Sequence, residues 1–230
     1  IDQQVDRTYV IEGVRTLTGA THEIIPDRFV SASLGVAALL TKGDVFVKQA
    51  RQRDMLTFLN TIRRIGGSFE IESDGIRFFH NRPLRSIAME TSVHPGFMTD
   101  WQPPFVVLLT QAEGMSIIHE TVFENRFGYV TQLREMGADI EVYDACLGGS
   151  GCRFSTRGHK HSAVVKGPTP LKGTSLEVPD LRAGFTQLIA ATAAEGESVL
   201  LGIEHIDRGY EHIDDTLRQL GASIERRKRD

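Results

Sequence analysis

Two kinds of apolar pattern alternate along the chain. FVSASLGVAALL, PFVVLLTQA and FTQLIAATAA are apolar almost without interruption. Helices of that composition have no wet face, so the pattern predicts burial on most sides. Stretches such as EHIDDTLRQL are amphipathic instead and predict a second set of helices with one face in solvent. Short Val- and Ile-rich runs follow each helix and predict strands: VFVK, SFEIE and IRFF; SIIHE, DIEVY, AVVKG and SLEV; VLLG and SIER.

The elements recur in a fixed order. An Asp opens each apolar helix (Asp27, Asp100, Asp180), at steps of 73 and 80 residues. A Gly closes it (Gly43, Gly114, Gly196), at steps of 71 and 82. A second Gly closes the amphipathic helix (Gly66, Gly137, Gly221), at steps of 71 and 84. Asp at an N-cap satisfies orphan backbone N–H groups, and Gly past a helix end takes the left-handed conformation. Three markers keeping step predict a threefold repeat. Each unit reads βαβαββ, an α/β fold with helices packed inside sheets. The units span about 25–92, 93–178 and 179–230. The third stops after SIERRKRD without closing strands, and the chain opens on IDQQVDRTYV without an initiator Met, so it reads as a fragment whose partner half supplies the missing cover.

Composition narrows the classes. A net charge of -4 and a pI near 6.1 give no general attraction to nucleic acid or to an anionic membrane. No apolar run reaches bilayer length, and two cysteines make no disulfide framework, which points to a reducing, cytoplasmic setting.

Candidate chemistry clusters on arginines. An Arg follows an early position in each unit by 26 residues: Arg53 after Asp27, Arg126 after Asp100, Arg208 after Arg182. Guanidinium groups beside exposed helix N–H groups suit an anion. Solvated arginines, or ion pairs with Glu124 and Asp207, are the plainer reading. Asp100 reads first as an N-cap and second as a carboxylate that takes a proton from a hydroxyl. Trp101 reads as packing, and His94-Pro95 as a turn.

Between the second unit and its closing strands lies a Gly-rich, basic loop, Asp144–Ser162. Its Cys146, Cys152, His159 and His161 form C-x5-C-x6-H-x-H, donors suited to zinc. The Cys spacing is wider than a zinc knuckle, so polar loop residues are the preferred reading and no metal is expected.

HPGFMTDWQ, ETVFENRFGYVTQLREMGADIEV, PDLRAGF and HIDRGYEHIDDTLRQLGASIE together resemble the UDP-N-acetylglucosamine 1-carboxyvinyltransferase family of enolpyruvyl transferases. The likeness covers nearly the whole chain, and only the 144–162 loop departs, as an insertion. It implies an inverted α/β barrel, with residues 1–24 ending a first domain and crossing over and residues 25–230 forming the second. It implies transfer of the enolpyruvyl group of phosphoenolpyruvate to the 3-hydroxyl of UDP-N-acetylglucosamine by addition–elimination, with no metal or other cofactor. Asp100 matches the family's sugar-nucleotide contact and base. Val122 matches a backbone contact to the UDP-sugar. Arg126 matches a contact to both substrates, and Arg182 and Arg208 match contacts to phosphoenolpyruvate. The family's Lys-Asn pair and reactive Cys lie upstream, in a half this chain lacks, and neither Cys146 nor Cys152 matches that Cys. An enolpyruvylshikimate-phosphate synthase relative and a non-catalytic binding module are the competing readings.

Overall fold

The computed structural model describes residues 1–6, 8–149 and 151–227, with Arg182 described in its backbone only. Chain order is β1 (Asp2–Gln3), β2 (Tyr9–Val10), α1 (Arg28–Leu40), β3 (Asp44–Lys48), α2 (Leu56–Arg64), β4 (Ser68–Glu72), β5 (Gly75–Phe79), β6 (Ala88–Glu90), α3 (Gln102–Leu109), β7 (Gly114–His119), α4 (Val130–Glu135), β8 (Asp139–Tyr143), β9 (Ser162–Gly167), β10 (Ser175–Glu177), α5 (Leu181–Ala193), β11 (Val199–Leu201), α6 (Glu204–Asp207) and α7 (Ile213–Gln219).

The three apolar stretches are helices α1, α3 and α5, and all three touch one another at the centre. Every residue of α3 is buried. Its side chains meet protein all round, which is why its sequence shows no polar face. Trp101 ends in the same core, 5.4 Å from Phe58 and 5.6 Å from Phe97 between ring centroids, as a packing residue.

The middle unit is complete. It runs β6-α3-β7-α4-β8-β9, and its sheet order is β6-β7-β9-β8. β6 is parallel to β7, while β9 is antiparallel to both β7 and β8. The first unit repeats the second half of that pattern in the order β3-β5-β4. The third repeats its parallel start, β10 beside β11.

Strand pairing joins two elements across the expected boundaries: β6, within 25–92, pairs with β7 of the second unit, and β10 behaves alike. SLEV, read from sequence as closing the second unit, contains β10, which pairs with β11 of the third. An alternating pattern marks a strand but not its neighbour. SIER, expected as a strand, is neither helix nor strand. Its counterparts β4 and β8 each lie against a following strand, and a lone edge has no ladder to join.

The second glycine marker holds in every unit, with φ of 89°, 98° and 98° at Gly66, Gly137 and Gly221. At the first marker Gly114 and Gly196 also have positive φ, Gly114 as the first residue of β7 and not at the end of α3, while in the first unit Lys42, not Gly43, takes the left-handed position at φ 56°. No helix among the described residues is long and apolar enough to cross a membrane.

Candidate functional site

The three aspartates that keep step in sequence do not do the same work. Asp27 caps α1, accepting from the N–H of Phe29 at 2.7 Å and of Val30 at 3.4 Å. Asp180 accepts from the N–H of Ala183 at 3.0 Å at the start of α5. Asp100 sits inside a 3-10 turn, Thr99–Trp101, with no side-chain cap bond at that turn or at α3. Its carboxylate accepts from Arg126 instead. The cap expected there is therefore absent, and a carboxylate is left facing a guanidinium.

Arg126 is 7% exposed, an unusual burial for an arginine. It opens the 3-10 turn Arg126–Tyr129 that leads into α4. Besides Asp100, its Nη2 donates to the Thr99 carbonyl at 3.1 Å. The Phe123 ring lies 5.5 Å from the guanidinium carbon. Asn125 makes the bend possible by adopting the left-handed conformation at φ 53°. Of the two acids suggested by sequence as plain salt-bridge partners, neither serves its neighbouring arginine. Glu124 lies 3.5 Å from Arg153, and Asp207 is gripped by Arg226 at 2.8 Å.

Glu120, which sequence reading missed, organises this corner. It is fully buried at the end of β7. One carboxylate oxygen accepts from the N–H groups of Val122 and Phe123 at 2.9 and 3.0 Å. The other accepts from the Thr99 hydroxyl at 3.0 Å. Glu120 and Arg126 thus both hold the turn that carries Asp100. Tyr129 completes the floor, its phenol donating to Gln102 at 2.9 Å, and burial pushes that phenol well above its ordinary range.

The backbone of Val122 is engaged on both sides, its N–H by Glu120 and its carbonyl by Arg153 of the 144–162 loop. That loop also borders a cleft of about 730 Å³ lined in part by Thr57, Thr91, Gly148, Gly149 and Arg153. Arg208 follows α6 and is exposed. The Arg182 side chain lies outside the described residues. Arg53 is exposed and sits 3.9 Å from Asp54. The structure thus brings Asp100 and Arg126 together.

The EPSP synthase (3-phosphoshikimate 1-carboxyvinyltransferase) family matches residues 1–227. The chain belongs to that family. Among curated relatives, this family member is 52% identical over 221 residues to a UDP-N-acetylglucosamine 1-carboxyvinyltransferase of Protochlamydia amoebophila (strain UWE25), covering 96% of this chain and 48% of the relative. It is 49% identical to the protein of the same name from Chlamydia muridarum (strain MoPn / Nigg), covering 95% and 50%. The chain spans about half the length of the curated relatives it matches. Among solved structures, the enolpyruvyl transferase NikO from Streptomyces tendae superposes with a TM-score of 0.74 at 27% identity, covering 88% of this chain and 44% of that one. An EPSP synthase from Acinetobacter baumannii gives 0.60 at 19% identity, over 87% and 44%, and shows the shared fold. The inverted α/β architecture expected from the sequence is therefore that of the enolpyruvyl transferases.

Three of the four sulfur and imidazole groups singled out in the loop meet a residue from another strand. Cys146, Cys152 and His161 gather with His119 of β7, their donor atoms all within 4.8 Å of one another. His159 lies outside the group, 3.4 Å from Asn125. Linear spacing argued against a metal, but it could not register a fourth donor from another strand. The Cys146 thiol is lowered to about 7, chiefly by its hydrogen bond with His161.

Proposed function

We propose that this chain is part of a cytoplasmic UDP-N-acetylglucosamine 1-carboxyvinyltransferase, joining the enolpyruvyl group of phosphoenolpyruvate to the 3-hydroxyl of the UDP-sugar for peptidoglycan synthesis, and so serving cell shape and division. The observation that carries the acceptor is identity. Relatives bearing that name share about half the residues across nearly the whole chain, against 19% for an EPSP synthase. Residues 1–24 belong, on this reading, to the end of a first domain and the crossover, and residues 25–230 to the second. The relatives are about twice as long, so the site is shared with the other half, and these 230 residues alone do not turn over.

The Asp100–Arg126 pair supports the chemistry. Arg126 is a buried cation, and an anionic donor competes with Asp100 for it. With phosphoenolpyruvate drawing on the guanidinium, the Asp100 carboxylate accepts the acceptor's hydroxyl proton. The sugar oxygen then bonds to C2 of the donor while the donor's methylene takes up a proton from solvent. Loss of phosphate and of a methyl proton restores the double bond. Arg182 and Arg208 share the donor's charge, and the Val122 backbone meets the UDP-sugar once Arg153 yields its carbonyl.

The test is phosphate release by the whole enzyme with each substrate omitted in turn. Release that needs both phosphoenolpyruvate and UDP-N-acetylglucosamine supports the reading. Turnover with shikimate 3-phosphate in place of the UDP-sugar overturns it.

A further inference from the structure

We propose that His119, Cys146, Cys152 and His161 bind one structural zinc ion that staples the 144–162 loop to one end of the paired strands β7 and β9, next to the substrate corner. The inference stands independently of the acceptor assigned above.

Distances fit a single ion. Zinc bonds of about 2.3 Å to sulfur and about 2.0–2.1 Å to nitrogen give a tetrahedron with edges of roughly 3.3–3.8 Å. Cys146 Sγ lies 3.6 Å from Cys152 Sγ and 3.3 Å from His161 Nε2. Two thiolates with two imidazoles in a tetrahedral span select zinc among the common divalent ions. An iron–sulfur cluster has more than one metal to enclose, and donors within 4.8 Å leave no room for it.

The second reason is how each imidazole is held. His161 Nδ1 faces the His159 carbonyl at 2.6 Å. A carbonyl only accepts, so Nδ1 carries the proton and Nε2 presents its lone pair to Cys146. His119 Nδ1 lies 3.3 Å from the Glu90 carboxylate, which fixes the same tautomer. Its Nε2 is fully buried and makes no hydrogen bond of ordinary geometry among the described residues. A buried, unpartnered nitrogen is costly unless something else binds it. Ring N–H groups turned to a carboxylate and a carbonyl, with the opposite nitrogens converging, form the usual outer shell of a zinc site. The N–H of Phe154 adds a contact to Cys152 Sγ at 3.4 Å.

The fold builds this arrangement across long sequence distances. The β7–β9 register sets His119 opposite Ser162, one residue from His161. The loop between β8 and β9 then returns both cysteines to that end of the sheet. Glu90 also accepts from the N–H of Gly149 at 2.6 Å, and a Cβ on Gly148 would collide with Glu90 and His119. All four coordination positions are filled by protein, so the ion has no open site and no part in the chemical step. Its effect is positional. One residue after Cys152, Arg153 reaches the Val122 carbonyl.

The experiment is metal analysis of the whole enzyme purified without added metal, then titration with Zn2+ against a chromophoric chelator. The expected result is about one zinc per chain that survives dialysis. Replacing it with Co2+ should give the strong visible bands of a tetrahedral ion and thiolate-to-metal charge transfer. His119→Gln should abolish retention while His159→Ala keeps it, and Glu90→Gln should weaken zinc affinity about 10–100-fold. Because a ligand variant can misfold, the Co2+ spectrum of the unmutated enzyme stands as a separate readout. Zinc-free protein that takes up no Zn2+, a Cys146–Cys152 disulfide by peptide mass spectrometry, an octahedral Co2+ spectrum, or zinc kept by His119→Gln would each overturn the site.

Discussion

Arg126 reaches back 26 residues to pair with Asp100, and the same guanidinium holds the carbonyl of Thr99 beside it. Asp27 and Asp180, at the equivalent places in the other two units, cap their helices. The repeated scaffold thus carries an aspartate at the same place in each unit, and in the middle unit it pairs with an arginine where the other two cap a helix.

Asp100→Asn in the whole enzyme keeps the side chain's shape and removes its capacity to take a proton. Loss of a positioned general base lowers kcat by about 10²–10⁴-fold. Steady-state kinetics should show that loss with an unchanged circular dichroism spectrum. Wild-type turnover by the variant would remove Asp100 from the chemistry.

Arg126→Met leaves the Thr99 carbonyl without this donor in a buried corner, and should cost about 1–3 kcal/mol in chemical denaturation. It should also raise KM for phosphoenolpyruvate, since the variant has no guanidinium there to offer. Arg126→Lys restores charge but not the fork, and should recover stability more than affinity.

Glu120→Ala strands two backbone N–H groups and a threonine hydroxyl at once. The cost should be about 3 kcal/mol or more, with Glu120→Gln milder because an acceptor oxygen remains. Thermal unfolding of both variants checks the order. An alanine variant as stable as the parent would show that the loop finds other partners.

The carboxyls of Asp207 and Asp214 are held below their ordinary range, in each case first by hydrogen bonds from Arg226. A depressed folded-state pKa stabilises above the unfolded value near 3.8 and is lost as pH falls through the folded values. Arg226→Ala should therefore lower Tm at pH 5 and above, and the gap from the parent should close as pH drops below 3.8. A gap that persists or widens in acid would assign the effect to packing.

Gly137→Ala forces a side chain into φ 98° with its Cβ 3.3 Å from the Pro170 carbonyl, and should cost about 1–2 kcal/mol. Gly128, where a Cβ meets nothing within 4 Å, should accept alanine within about 0.5 kcal/mol. Denaturation midpoints of the two variants compare backbone strain with open space directly.

What could be read from the residues was what neighbours in sequence decide. The uniform apolarity of α3 foretold its burial, and glycines at Gly66, Gly137 and Gly221 foretold left-handed helix ends. Both follow from forces acting within a few residues, so the chain's own order records them. The pairing of Asp100 with Arg126 was only half legible, because the repeat placed both residues but a helix cap was the first reading of Asp100. Glu120 and His119 gave no signal at all. One is defined by bonds to a turn 21 residues away, the other by sulfur donors that a β-sheet register carries to it. Hydrogen bonding across strands depends on which edges meet, and that choice is made by the packing of the whole sheet against its buried helices.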